Sequence, residues 1–117
     1  VGRAKEMIVK GGRNLFPQDL ERVAAEVRGV RAGSVAAFGR HNQATGTDDL
    51  VLVIESAEPD AETRAGLVRE GRGALLAALD TKPDAVHLWP GGSIPRTTSG
   101  KPQRRACAAR LDAQEGT

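Results

Sequence analysis

Residues 93 to 105 read Ser-Ile-Pro-Arg-Thr-Thr-Ser-Gly-Lys-Pro-Gln-Arg-Arg. Lys101 follows the turn-forming run Thr97, Thr98, Ser99 and Gly100 and precedes Pro102, while Pro95 stiffens the approach. A lysine set out on a loop is a mobile point charge that can reach an anion. It can neutralise a carboxylate or a phosphate as charge develops in a transition state. On the motif alone, a solvated basic tail is the plainer reading. A nucleotide-binding P-loop is excluded, because that motif needs Gly, four residues, then Gly-Lys-Ser/Thr. Here Gly92 lies eight positions before Gly100, and Pro102 stands where the magnesium-binding hydroxyl belongs.

The elements that must carry this loop follow from periodicity. Residues 6 to 10 read as a short strand, and Gly11, Gly12 and Asn14 mark a turn after it. Pro17 suits the first turn of a helix. Leu20, Val23, Ala24 and Val27 then form an apolar stripe at i, i+3, i+4 and i+7, ended by Gly29. Residues 33 to 38 and 50 to 54 read as strands joined through a polar link at 41 to 49. Pro59 and Asp60 open a second helix with Ala61, Ala65, Val68, Leu75 and Leu79 near one face, a pattern that Gly66, Gly71 and Gly73 weaken. Residues 85 to 89 alternate as a third strand. Residues 90 to 100 form a long loop, and 102 to 111 a final helix with Arg104 and Arg105 exposed. The pattern predicts an α+β fold, a small three-stranded sheet covered by helices, with a short N-terminal β-hairpin-like segment. Long loops in compact domains are often functional.

The totals bound the classes of function. The chain has 117 residues, 39% apolar and 27% charged, which suits one small globular domain. Phe16, Phe38 and Trp89 are its aromatics, so Val, Leu, Ile and Ala must build the core. A single Cys107 excludes an internal disulfide. With only His41 and His87 besides, there is no zinc set and no metal site is expected. No apolar run reaches membrane-spanning length and no signal peptide is visible, so a reducing cytoplasm is the default. The opening Val-Gly-Arg, without a methionine, suggests a piece of a longer protein. Net charge is +2 but uneven: residues 1 to 13 and 96 to 117 each carry net +3, and the middle net −4. Positive ends suggest a surface that meets an anion. No stacking aromatics accompany the basic runs, so nucleic acid is not the expected partner.

Two separated segments then resemble one family. The first is Gly2-Arg3-Ala4-Lys5-Glu6-Met7-Ile8-Val9-Lys10-Gly11-Gly12-Arg13-Asn14-Leu15-Phe16-Pro17-Gln18-Asp19-Leu20-Glu21, and the second is Ile94-Pro95-Arg96-Thr97-Thr98-Ser99-Gly100-Lys101. Together they resemble the C-terminal domain of the adenylate-forming enzymes: acyl-CoA synthetases, peptide-synthetase adenylation domains and luciferases. The likeness covers essentially the whole chain. The Gly-Arg-Asn-x-x-Pro-Gln-Asp-x-Glu form and the Arg104-Arg105-Ala106-Cys107 ending look most like fatty acyl-AMP ligases.

The resemblance implies a division of roles. Residues 1 to 117 would be the single mobile C-terminal domain of a larger enzyme, with a hinge end at 1 to 5 and a catalytic lysine loop at 90 to 101. Lys101 would be the adenylation lysine, reaching the fatty acid carboxylate and the phosphate within a large N-terminal adenylation domain. Lys5 would be the hinge, and Arg3 would touch the nucleotide ribose. Gly11, Gly12, Arg13 and Asn14 would face the active site in a second orientation, although an ordinary turn role is the plainer reading of Arg13 and Asn14. ATP and magnesium would be held mainly by the N-terminal domain. The acyl group would pass to an acyl carrier protein in polyketide or lipopeptide synthesis, or, in the alternative acyl-CoA ligase, to CoA. A stand-alone module using its basic ends to bind an acidic partner is the non-enzymatic alternative. Some relatives place a second lysine where this chain has Val9, and Lys10 would point to the other face of the strand.

Overall fold

The structure, a computed structural model, describes residues 7–31 and 33–115. A two-stranded antiparallel hairpin, β1 (Ile8–Lys10) and β2 (Arg13–Leu15), leads into helix α1 (Pro17–Ala24). Gly11 and Gly12 both have positive φ, 58° and 83°, the conformation that a two-residue hairpin turn of the primed type demands. Strands β3 (Val35–Asn42) and β4 (Thr47–Glu55) pair antiparallel. Helix α2 (Ala61–Leu79) then crosses over to β5 (Ala85–Trp89), which runs parallel to β4, and α3 (Arg104–Glu115) closes the chain. The main sheet has the order β3-β4-β5, so the α+β expectation is borne out.

Strand β4 is the centre of the molecule. Its run Leu50-Val51-Leu52-Val53-Ile54 is apolar at every position because both faces are covered. Leu50, Leu52 and Ile54 join Val35, Ala37, Ile8, Leu20 and Leu75 in one cluster, under the hairpin, α1 and α2. Val51 and Val53 join Ala36, Phe38, Trp89, Ile94, Cys107 and Leu111 in a second, under α3. Trp89 is thus the core anchor of the loop that follows it.

Four features differ from the sequence expectation. The β3–β4 link is only 43 to 46, because polar residues on a half-exposed hairpin end extend the ladder as well as apolar ones. Helix α1 stops at Ala24, and the chain continues to Val27 through tighter bonds, Glu26 N to Val23 O and Val27 N to Ala24 O. The buried face of α2 is Leu67, Gly71 and Leu75, whereas Ala61 and Ala65 are exposed. Small residues left the phase of that helix poorly marked. Pro102 forms a bridge with Arg96, so α3 begins two residues later and runs on to Glu115.

Candidate functional site

Lys101 closes a miniature hairpin. Arg96 and Pro102 pair as an isolated antiparallel bridge, and Thr97 N donates to Lys101 O at 2.8 Å. Gly100 N donates back to Thr97 O at 2.9 Å. Gly100 sits at φ 88°, where a three-residue hairpin loop places its left-handed residue. Thr97 Oγ1 accepts from Lys101 N at 3.2 Å and lies 3.0 Å from Ser99 Oγ. Residues 97 to 101 are all exposed. Among the described residues nothing pairs with the Lys101 ammonium, which is therefore available to a group outside this domain.

The root of that hairpin is braced by residues that sequence reasoning missed. Glu55, 8% exposed at the end of β4, accepts Ile94 N at 2.8 Å. Arg96 forks onto the same carboxylate, Nη2 to Oε1 at 2.6 Å and Nη1 to Oε2 at 3.4 Å. Nη2 also reaches Gly33 O at 2.6 Å and Nη1 reaches Ile94 O at 3.2 Å. Arg110 stacks over Trp89 with 5.1 Å to the ring centroid and donates to Ser93 O. The one available signal for Glu55 was its place directly after a strand buried on both faces, where a charge needs a partner.

A second ion pair follows the lysine. Arg104 was expected on a solvated face. Instead its guanidinium donates to both oxygens of Glu21, at 2.8 and 2.7 Å, with side-chain exposures of 12% and 14%. Glu21 also accepts Ala37 N at 2.9 Å, so one carboxylate ties α1, β3 and α3 together. Arg105 is exposed as expected.

Burial alone raises the Glu55 carboxyl, but the hydrogen bonds from Arg96 and Ile94 and the Arg96 charge outweigh it and hold it below its ordinary value of 4.5. A carboxylate depressed in the folded state contributes stability above its unfolded pKa and loses it as pH falls through the folded one. The brace therefore holds throughout the neutral range and is expected to loosen only below pH 4.5. Trp89 shares a cluster with Ile94, so an acid titration of its fluorescence checks this; a transition centred near neutrality would contradict it.

The Gly11–Asn14 turn lies elsewhere. Val9 N donates to Asp48 Oδ2, and Gly11 N to Thr47 Oγ1, at the start of β4. Arg13 donates to Asp80 O and Leu79 O at 2.6 and 2.7 Å, capping the carbonyl end of α2. Asn14 pairs across the hairpin with Val9. Lys10 is held by Asp84 at 2.7 Å. The structure thus does not bring the two motifs together: one is anchored at Thr47 and the other at Glu55, roughly 25 Å apart along β4. Lys5 and Arg3 lie outside the described residues.

Among the described residues no other group competes as a reactive centre. Cys107 is fully buried, and burial pushes its thiol up to about 11. His41 approaches Asp48 at 3.6 Å on the surface. Among the described residues no cluster of His, Cys, Asp or Glu could hold a metal ion, so these residues offer magnesium no ligand set. No helix among them is long and apolar enough to cross a membrane.

No family model matches the chain. It is 39% identical over 104 residues to a putative acyl-CoA synthetase of Caulobacter vibrioides, across 88% of this chain and 18% of that protein. It is 34% identical over 116 residues to the long-chain-fatty-acid–AMP ligase FadD26 of Mycobacterium marinum, across 94% of this chain and 19% of that one. A structure from work on fatty acyl-adenylate ligases of E. coli and L. pneumophila superposes with a TM-score of 0.75 at 29% identity, covering 96% of this chain and 19% of that one. McyG A-PCP complexed with phenylalanyl-adenylate superposes at 0.79 with 27% identity, across 96% and 20%. The chain spans about a fifth of the length of the relatives it matches.

Proposed function

From a chain that belongs to the adenylate-forming superfamily, as a C-terminal domain of that kind, we propose the following reading: it supplies the adenylation lysine of a fatty acyl-AMP ligase. The observation that carries it is Lys101, an exposed ammonium without a partner among the described residues, at the tip of a hairpin braced at its root. In the first half-reaction a fatty acid carboxylate attacks the α-phosphate of ATP. A new O–P bond forms, the bond to pyrophosphate breaks, and an acyl-adenylate remains. Two anions must approach, so a cation placed between them lowers the barrier. Lys101 is that cation. Magnesium, when bound with ATP, supplies further neutralisation of the phosphates from the preceding adenylation domain.

In the second half-reaction a phosphopantetheine thiol on an acyl carrier protein attacks the acyl carbonyl and AMP leaves. The Gly11–Asn14 hairpin faces the reacting centre in that step, with Lys5 as the hinge and Arg3 on the nucleotide ribose. The separation of the two anchors along β4 supports two orientations, since one approach of the domain cannot present both ends to one point. Lys10, held by Asp84, does not serve as a second lysine. ATP and a carrier protein as reactants support a cytoplasmic location. The isolated 117 residues are inactive on this reading, because the nucleotide and acyl pockets lie in the N-terminal domain.

CoA as acceptor is the second reading, favoured by the 39% identity to a putative acyl-CoA synthetase. A basic binding module is poorly supported: Lys10, Arg13, Arg96 and Arg104 of the two positive ends are all engaged within the domain. ATP–pyrophosphate exchange on the parent protein with a panel of fatty acids tests the proposal. Exchange that depends on a fatty acid is expected, and none with any acid, from a folded parent, would overturn it. Offering CoA and a phosphopantetheinyl carrier side by side then separates the two acceptors.

A further inference from the structure

Among the described residues, 97 to 101 hydrogen-bond only to one another and join the body of the domain through their root. Any precision in where the Lys101 ammonium points must therefore be set at positions 96 and 102. At 102 the tie is a backbone bridge. At 96 it is a side chain whose donors meet two carboxylate oxygens and two carbonyls, drawn from three separate segments: the end of β4, the turn before β3 and the start of the loop itself. A planar guanidinium fixed at that many points cannot rotate, and an ammonium could not copy the fork. Both Nη nitrogens of Arg96 are thus engaged within the domain.

We propose that Arg96, seated on Glu55, is a positioning residue for Lys101: it fixes the direction of the lysine hairpin so that the ammonium arrives at the reacting phosphate in one geometry. This rests on the reading of Lys101 as the adenylation cation. Its force comes from how steeply rate depends on placement, since a 1 Å displacement costs on the order of 10²-fold. The position of Glu55 at the end of the central strand makes the reference rigid, and the depressed Glu55 carboxyl keeps the pair charged at working pH.

The test uses the full-length parent protein carrying Arg96→Gln, Arg96→Lys or Glu55→Gln, with Lys101→Ala beside them. The readouts are ATP–pyrophosphate exchange with the preferred fatty acid and, separately, transfer from a pre-formed acyl-adenylate to the acceptor thiol. For Arg96→Gln, kcat for exchange is expected to fall by about 10- to 100-fold with KM for ATP and acid within about twofold. Transfer is expected to survive, because it needs the folded domain but not Lys101. Arg96→Lys is expected not to rescue, and adding Arg96→Gln to Lys101→Ala is expected to cost nothing more. Exchange unchanged in Arg96→Gln while Lys101→Ala abolishes it overturns the positioning role and leaves the lysine reading intact. Loss of both half-reactions together also overturns it, by showing a merely structural residue. Full exchange in Lys101→Ala removes the reading beneath it.

Discussion

Lys101→Ala in the full-length protein is expected to lower the rate of acyl-adenylate formation by about 10²- to 10³-fold, the usual cost of removing one preorganised group that stabilises transition-state charge. The melting temperature should not move. The ammonium has no partner among the described residues, and the hairpin beneath it is held by Thr97, Gly100 and backbone bonds that alanine retains. Activity and folding are therefore separable at this position. Pyrophosphate exchange, which reports the same step in both directions, should fall in parallel. A mutant that exchanges at the parental rate would sink the assignment of Lys101.

Arg104→Ala is expected to have the opposite profile, a large stability loss felt by every activity. Removing the arginine leaves Glu21 between α1, β3 and α3 with, among the described residues, only the Ala37 amide as donor. Stranding one partner of a fully buried pair costs about 3–5 kcal/mol; for this part-buried pair the lower end is expected, a fall of roughly 10 °C for a domain of this size. Replacing both partners by apolar residues would not restore the parent. β3 is an edge strand, and Glu21 is the acceptor for the outward-facing Ala37 N–H. An unsatisfied amide there costs about 1–3 kcal/mol. Thermal unfolding of the isolated domain measures this, and a fall of only a degree or two would mean that Arg104 is solvated after all.

The contrast between these two residues shows what the chain discloses by itself. Three strands, three helices and the exposed lysine loop are legible, because each rests on local signals: β-branched runs, Pro17 at a helix start, Gly11-Gly12 and Gly100 at turns. Arg104 is not legible. Its partner Glu21 lies 83 residues away, and nothing in a Gln-Arg-Arg-Ala sequence says which charge will be covered. Arg96 and Glu55 are hidden for the same reason, 41 residues apart. The α2 face was misplaced at its start because alanine and glycine carry too little apolar contrast to fix a phase. Long-range ion pairs and weakly marked helix faces are decided by packing, which no short window of sequence contains.

The two-sided burial of β4 also sets the order in which the chain can assemble. β3 and β4 are joined by four residues, so their ladder closes early and cheaply. β5 must wait for the α2 crossover, and the layer under α3 must wait longer, since its floor includes Trp89 and its lid comes from the last residues. The layer built last is the one that carries Ile94 and the root of the lysine hairpin. It is also the layer that can come apart alone while β3 and β4 remain paired, as a separate cooperative unit. The end of the domain that carries Lys101 is thus expected to open more readily than the β3–β4 pair.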